Sequence, residues 1–303
     1  MNTAPITPES LAASVIAVPP LARKPNLSLN RAEGEKLIRH LEAGGVTTLL
    51  YGGNAIMSHV GLGEFADVVD MLAECAGDQT LVIPSVGPSY GTMIDQAAIL
   101  RDMPFPTAMI LPTRDVVTPD GVATAVRHYV EMADRPVVLY IKHDGYIDVT
   151  RVKQLMDDGL LAWIKYAIVR DDTSNDDYLR ELVDTVGPSR IVSGIGEQPA
   201  ITHLSEFGLT SFTSGCVCVA PRLSMQMLQA INAGDLAKAE EIRRVFSPLE
   251  DLRNAIHPVS VLHTAVTLSG IGTMGPLMPL LCDVGEEEAA TIGETAKQLL
   301  ANN

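Results

Sequence analysis

Positive charge, cysteine and long apolar runs are all scarce in this chain. Lysine and arginine total 22 against 37 aspartate and glutamate, a formal charge of -15 and a pI near 4.8. Such a surface repels phosphate backbones, which excludes nucleic acid as an expected partner. Only four cysteines occur, at positions 75, 216, 218 and 282, and their scatter implies no disulfide framework. A reducing, cytoplasmic setting is the expectation that follows. No run of 18 apolar residues is present, so no membrane span is expected. The opening stretch MNTAPITPESLAASVIAVPP lacks a basic region and does not read as a signal peptide. Linkers, repeats and low-complexity tracts are missing as well. The seven histidines show no H-x-x-x-H spacing, which speaks against a metal site, and no cofactor is expected.

What is present is apolar residue, 47 % of the 303, enough for a sizeable core. It comes in short continuous runs: 13–19, 46–51, 80–84, 107–111, 136–141, 160–168, 190–194 and 209–213. Continuous rather than alternating apolarity is the mark of strands covered on both faces. Amphipathic segments lie between them, at 31–43, 64–76, 93–102, 121–133, 152–157, 173–186 and 199–206. Eight strand–helix units predict a parallel sheet closed into a (β/α)8 TIM barrel; an open doubly wound sheet is the rival and normally uses fewer strands. Three helical stretches follow: 225–233, 236–268 with interruptions expected near Pro248 and Pro258, and 286–301. The expected division is a barrel over 1–224 and a helical region over 225–303 packed on it.

Active sites of such barrels sit at the C-terminal strand ends. The sixth run, AWIKYAI, places Lys165 in an apolar stretch. Strand alternation puts Trp163, Lys165 and Ala167 inside and Ile164, Tyr166 and Ile168 toward the helices. A desolvated lysine loses basicity, and a neutral amine attacks ketones to form a Schiff base. The competing reading is a lysine that snorkels at the strand end and pairs with a carboxylate. Tyr140 ends the preceding strand run and could move protons beside the amine. Gly52, Gly53 and Asn54 follow the second strand and offer backbone N–H groups and an amide for a carboxylate. A plain glycine turn is the alternative there.

This ordered set, with Tyr140 in VVLY, Lys165 in WIK, then SGIGE and the TS-G that ends the eighth strand, resembles the dihydrodipicolinate synthase/N-acetylneuraminate lyase family of class I aldolases. The resemblance spans nearly the whole chain, including NAGDLAKAEEI at 232–242. It implies a (β/α)8 barrel with a C-terminal helical region, a homotetramer, and a Schiff base between lysine and pyruvate or another 2-oxo acid. On it, Lys165 is the imine-forming residue and Tyr140 the proton relay. Gly53 and Asn54 fall where the family carries two hydroxyl residues, Gly194 and Gly196 in the loop near the lysine, and Thr210 where a backbone carbonyl faces the site.

The sequence also departs from the family pattern. No hydroxyl relay can operate at Gly53, and no glutamate follows in Gly52-Gly53-Asn54-Ala55-Ile56. The tyrosine pair after the fourth strand is replaced by Pro112-Thr113-Arg114, and the arginine five residues after the strand-5 tyrosine by Gly145. The pyruvate half is partly kept and the second-substrate half rebuilt, which speaks against lysine biosynthesis. Arg114 and Lys142 are candidates for a second carboxylate or a sugar-acid hydroxyl, and His143 and His59 for a replacement acid or base.

GIGTMG at 270–275 matches a dinucleotide-binding pattern but follows a helix near the chain end, so it reads as a loop. Two functions follow from the whole. The first is a Schiff-base lyase, aldolase or dehydratase, acting on a 2-oxo acid. The alternative is a non-catalytic barrel that binds a small acid as sensor or scaffold, motivated by the lost hydroxyls and arginine.

Overall fold

The structure, a computed structural model, describes residues 1–303. Eight parallel strands close on themselves in chain order: β1 (Ile16–Ala17), β2 (Thr48–Tyr51), β3 (Leu81–Val86), β4 (Met109–Ile110), β5 (Val137–Ile141), β6 (Leu161–Tyr166), β7 (Ile191–Ser193) and β8 (Ser211–Ser214). Each lies within one of the apolar runs, or overlaps it by most of its length. The strands are buried on both faces, which explains why those runs do not alternate.

A short helix, α1 (Pro8–Ala12), precedes the first strand. It had no apolar periodicity to reveal it, but Thr7 and Ser10 form a reciprocal capping box around Pro8. Seven helices then separate the strands: α2 (Arg31–Ala43), α3 (Leu62–Cys75), α4 (Tyr90–Arg101), α5 (Pro119–Ala133), α6 (Val149–Asp157), α7 (Asp177–Val186) and α8 (Ala200–Ser205). Caps set several starts away from those the apolar spacing gave. Thr118 and Asp148 accept the Gly121 and Arg151 N–H groups and begin α5 and α6 earlier. Asp176 caps α7 at Leu179, so 173–176 lie outside the helix.

After β8, α9 (Pro221–Asn232) packs against α2 and α8 and completes the ring of helices. The expected boundary after 224 falls inside it. Three helices follow, α10 (Leu236–Ala255), α11 (Pro258–Leu268) and α12 (Glu286–Leu300), and α10 packs on α9, α11 and α12. Pro258 separates α10 from α11 as expected, but Pro248 does not interrupt α10. Tertiary burial of Phe246, Leu249 and Glu250 outweighs the lost hydrogen bond. The 270–275 glycines lie in a loop, where Gly275 passes so close to the Arg23 carbonyl that a Cβ has no room. No helix is long and apolar enough to cross a membrane.

Candidate active site

Tyr140 and Lys165 are direct partners across β5 and β6. Both face the barrel interior, while Tyr166 points outward and donates its hydroxyl to Asp176 at the start of α7. The Lys165 Nζ lies 4.5 Å from the Tyr140 ring centre. The lysine is 5 % exposed, yet no carboxylate lies within salt-bridge distance of its amine. The snorkelling, paired lysine is therefore not what this chain builds. Burial, with added repulsion from Lys142 and Arg253, brings the amine down to about 7. Burial pushes the Tyr140 phenol up to about 12, so it stays protonated at neutral pH and is a donor there.

Glycines shape the space around the lysine. Gly194, just past β7, backs onto it: a Cβ there stands 3.0 Å from Lys165 Cε and 2.8 Å from the Tyr166 carbonyl oxygen. Gly52 similarly lies against Met109 and the Ser85 hydroxyl, at 2.9 and 3.2 Å from its would-be Cβ. Gly53 is exposed and has open space above it. Asn54 is buried; its side-chain amide donates to the Val18 carbonyl at 2.8 Å, and its backbone carbonyl lies 2.8 Å from His263 Nε2. One amide hydrogen of Asn54 is thus committed to the residue just past β1 and the other is free.

The remaining candidates are spread more widely. Lys142, an exposed residue, lies 6.0 Å from the Tyr140 ring centre, and desolvation by the surrounding protein together with the charge of Arg114 lowers its basicity. Arg114 is exposed on the loop after β4. His143 lies against the backbone carbonyls of Thr113 and Asp144 at 3.1 and 3.2 Å. His59 sits in a single 3-10 turn after the Gly52–Asn54 loop, with Nδ1 buried and unpartnered. Thr210 precedes β8 and gives its hydroxyl to the Pro188 carbonyl at 3.1 Å, leaving only its backbone for the site.

Two charged side chains that the strand ends do not supply come from α10. Glu250 fills the space beside Gly196, where φ is +99°, and accepts the Glu197 N–H at 2.9 Å. Glu197 itself accepts from Ser214 and Ser224, both at 2.8 Å. Burial and the charge of Glu197 drive the Glu250 carboxyl well above the usual range. One turn on, Arg253 rests over Gly215. These residues lie some 90 positions beyond the lysine, in a helix that reads as ordinary, and nothing in its spacing marks what they face.

A groove of about 1020 Å³ lies elsewhere, on the outer side of β4 between α4 and α5, lined by Tyr90, Leu111, Val116 and Val122. Lys165 and Tyr140 face the barrel interior instead. A closed parallel barrel with an unpaired, desolvated lysine pointing inward beside a tyrosine defines an enzyme of the Schiff-base lyase class.

The chain belongs to the dihydrodipicolinate synthetase family, whose profile matches residues 13–299. Among curated proteins it is 26 % identical over 252 residues to a probable 5-dehydro-4-deoxyglucarate dehydratase of Rhizobium meliloti, covering 77 % of this chain and 80 % of that one. A protein of the same description from Streptomyces avermitilis is 22 % identical and covers 97 % and 96 %. The fold matches dihydrodipicolinate synthase from Bacillus clausii with a TM-score of 0.83 at 22 % identity, over 94 % and 97 % of the chains. It also matches the sialic acid aldolase of Ruminococcus gnavus, with a TM-score of 0.83 at 13 % identity over 96 % and 98 %.

Proposed function

We propose that Lys165 forms an imine with a 2-oxo acid and that the chain dehydrates a deoxy sugar acid through that imine. The observation that carries this reading is the buried, unpaired amine held 4.5 Å from the Tyr140 ring. The Lys165 nitrogen adds to the ketone carbon, and the resulting carbinolamine loses its hydroxyl as water. Tyr140, protonated at neutral pH, supplies the proton for that departure. The iminium then acidifies the neighbouring carbon. Loss of its proton gives an enamine, and expulsion of hydroxide from the next carbon completes the loss of water; hydrolysis of the remaining iminium then takes up one water, as many as its formation released, and frees Lys165 and the product ketone. The carboxylate next to the ketone is received by the Gly53–Asn54 backbone and the free amide hydrogen of Asn54.

Dehydration is favoured over aldol cleavage because the curated relatives are described as dehydratases. Both routes share the imine. The reading includes a cytoplasmic homotetramer, for which the exposed Tyr90 and Val116 beside the outer groove are fitting apolar surface. Borohydride reduction in the presence of pyruvate, followed by peptide mass measurement, tests the central step. An irreversible adduct on Lys165 is expected. No adduct with pyruvate or with larger 2-oxo acids overturns the proposal and returns the barrel to a binding role.

A further inference from the structure

The rebuilt half of the mouth needs a group that recognises the far end of the substrate. β2 and β6 stand opposite one another in the eight-stranded ring, so an imine on Lys165 with its carboxylate at Gly53–Asn54 spans the mouth. The rest of the substrate must then lie over β4 or over β8, the two strands midway between them. Each side offers one arginine. Arg114, on the β4 side, is exposed on a loop.

Arg253, on the β8 side, is a different kind of group. It comes from α10, outside the strand–helix units, and is half-buried over the end of β8. A Cβ on Gly215 stands 2.8 Å from its Nη2 and 2.9 Å from its Nη1, so the guanidinium occupies the space a side chain there would fill. Its Nε donates to the Pro258 carbonyl at 3.1 Å, and Nη1 lies 3.9 Å from Cys216 Sγ. No carboxylate lies within ion-pair distance of it, although Glu250 is one turn away on the same helix and fills the neighbouring space beside Gly196. A fork-shaped guanidinium without a direct ion pair, at the rim of the site, is suited to receive a carboxylate.

We propose that Arg253 binds the distal carboxylate of the substrate, so that the site selects 2-oxo diacids over 2-oxo acids ending in a hydroxymethyl group. The inference rests on the imine reading. Glu250 beside it is engaged by the Glu197 N–H and makes no ion pair with the guanidinium, which is left free for an incoming anion.

The test compares kcat/KM for a six-carbon 2-oxo-3-deoxy sugar diacid and for its terminal hydroxymethyl counterpart, in the wild type, Arg253→Gln, Arg253→Lys and Arg114→Gln. The ratio of the two values is the readout, because a general loss of folding or of chemistry lowers both together. Arg253→Gln is expected to lower the ratio by about 30-fold or more, mainly through KM for the diacid, with part of it recovered in Arg253→Lys. An unchanged ratio in Arg253→Gln, or a collapse of the ratio in Arg114→Gln instead, overturns the proposal. Failure of the imine reading is seen separately, as absence of the borohydride adduct with pyruvate in the wild type.

Discussion

Gly194 and Lys165 share one boundary: the absent side chain of the glycine is the wall against which the lysine Cε rests, 3.0 Å from where a Cβ belongs. The Tyr166 carbonyl oxygen and the Ala167 Cβ, at 2.8 and 2.7 Å, close the same space and cannot swing aside. Gly194→Ala therefore forces either β7 or the lysine to move. We expect a loss of about 1–3 kcal/mol in denaturant unfolding and a fall of the pyruvate-trapping rate of at least about 10-fold.

Gly53 gives the opposite expectation for the same kind of change. Nothing lies within 4 Å of its would-be Cβ, and its φ is not positive. Gly53→Ser should fold without strain and reduce the freedom of the unfolded chain, raising Tm by about 1–3 °C in calorimetry. A fall in Tm would show that the loop needs glycine itself.

Lys165 titrates at about 7 in the fold against 10.5 in an open chain. The folded base has the lower value, so between these pH values the unfolded chain holds a proton that the folded one has shed. Stability therefore rises with pH through that window, and the full cost of a buried charge is present below about 7. Lys165→Met removes the cost: it should stabilise the protein at pH 6 by on the order of 3–5 kcal/mol, with the advantage shrinking toward pH 10. The trapping rate with pyruvate in the wild type should rise through an apparent value near 7. A flat profile would contradict the neutral-amine mechanism.

Glu250 is expected to be neutral when folded. Glu250→Gln preserves an acceptor for the Glu197 N–H and loses no charge, so its unfolding free energy should stay within about 1 kcal/mol of wild type at pH 7. Glu250→Ala leaves that N–H buried without a partner and should cost about 2–3 kcal/mol. Equal losses in both variants would mean that the carboxyl is ionised.

The barrel was legible because its strands are covered on both faces and so appear as unbroken apolar runs. Lys165 stood out because it is a charge inside such a run, and Tyr140 because one strand–helix unit separates the two. Local chemistry was harder to read. The starts of α5, α6 and α7 depend on single capping oxygens, and α1 on a five-residue capped turn, none of which alters apolar spacing. The uninterrupted α10 was missed because local proline chemistry argues for a break and only tertiary burial overrides it. Arg253 and Glu250 were invisible for another reason: their meaning lies in contact with glycines some forty to fifty residues earlier, and a charged residue on an amphipathic helix carries no mark of what it faces.

The fit of Glu250 beside Gly196 and of Arg253 over Gly215 also restricts how this chain can change by descent. A side chain acquired at either glycine collides with a helix residue already in place, and a shortened helix residue leaves a void beside a glycine. Changes at these four positions are therefore coupled in pairs: a side chain gained at either glycine displaces the tip of its α10 partner and the contact that tip makes. Lineages that have filled one of these glycines should show the facing α10 residue altered as well.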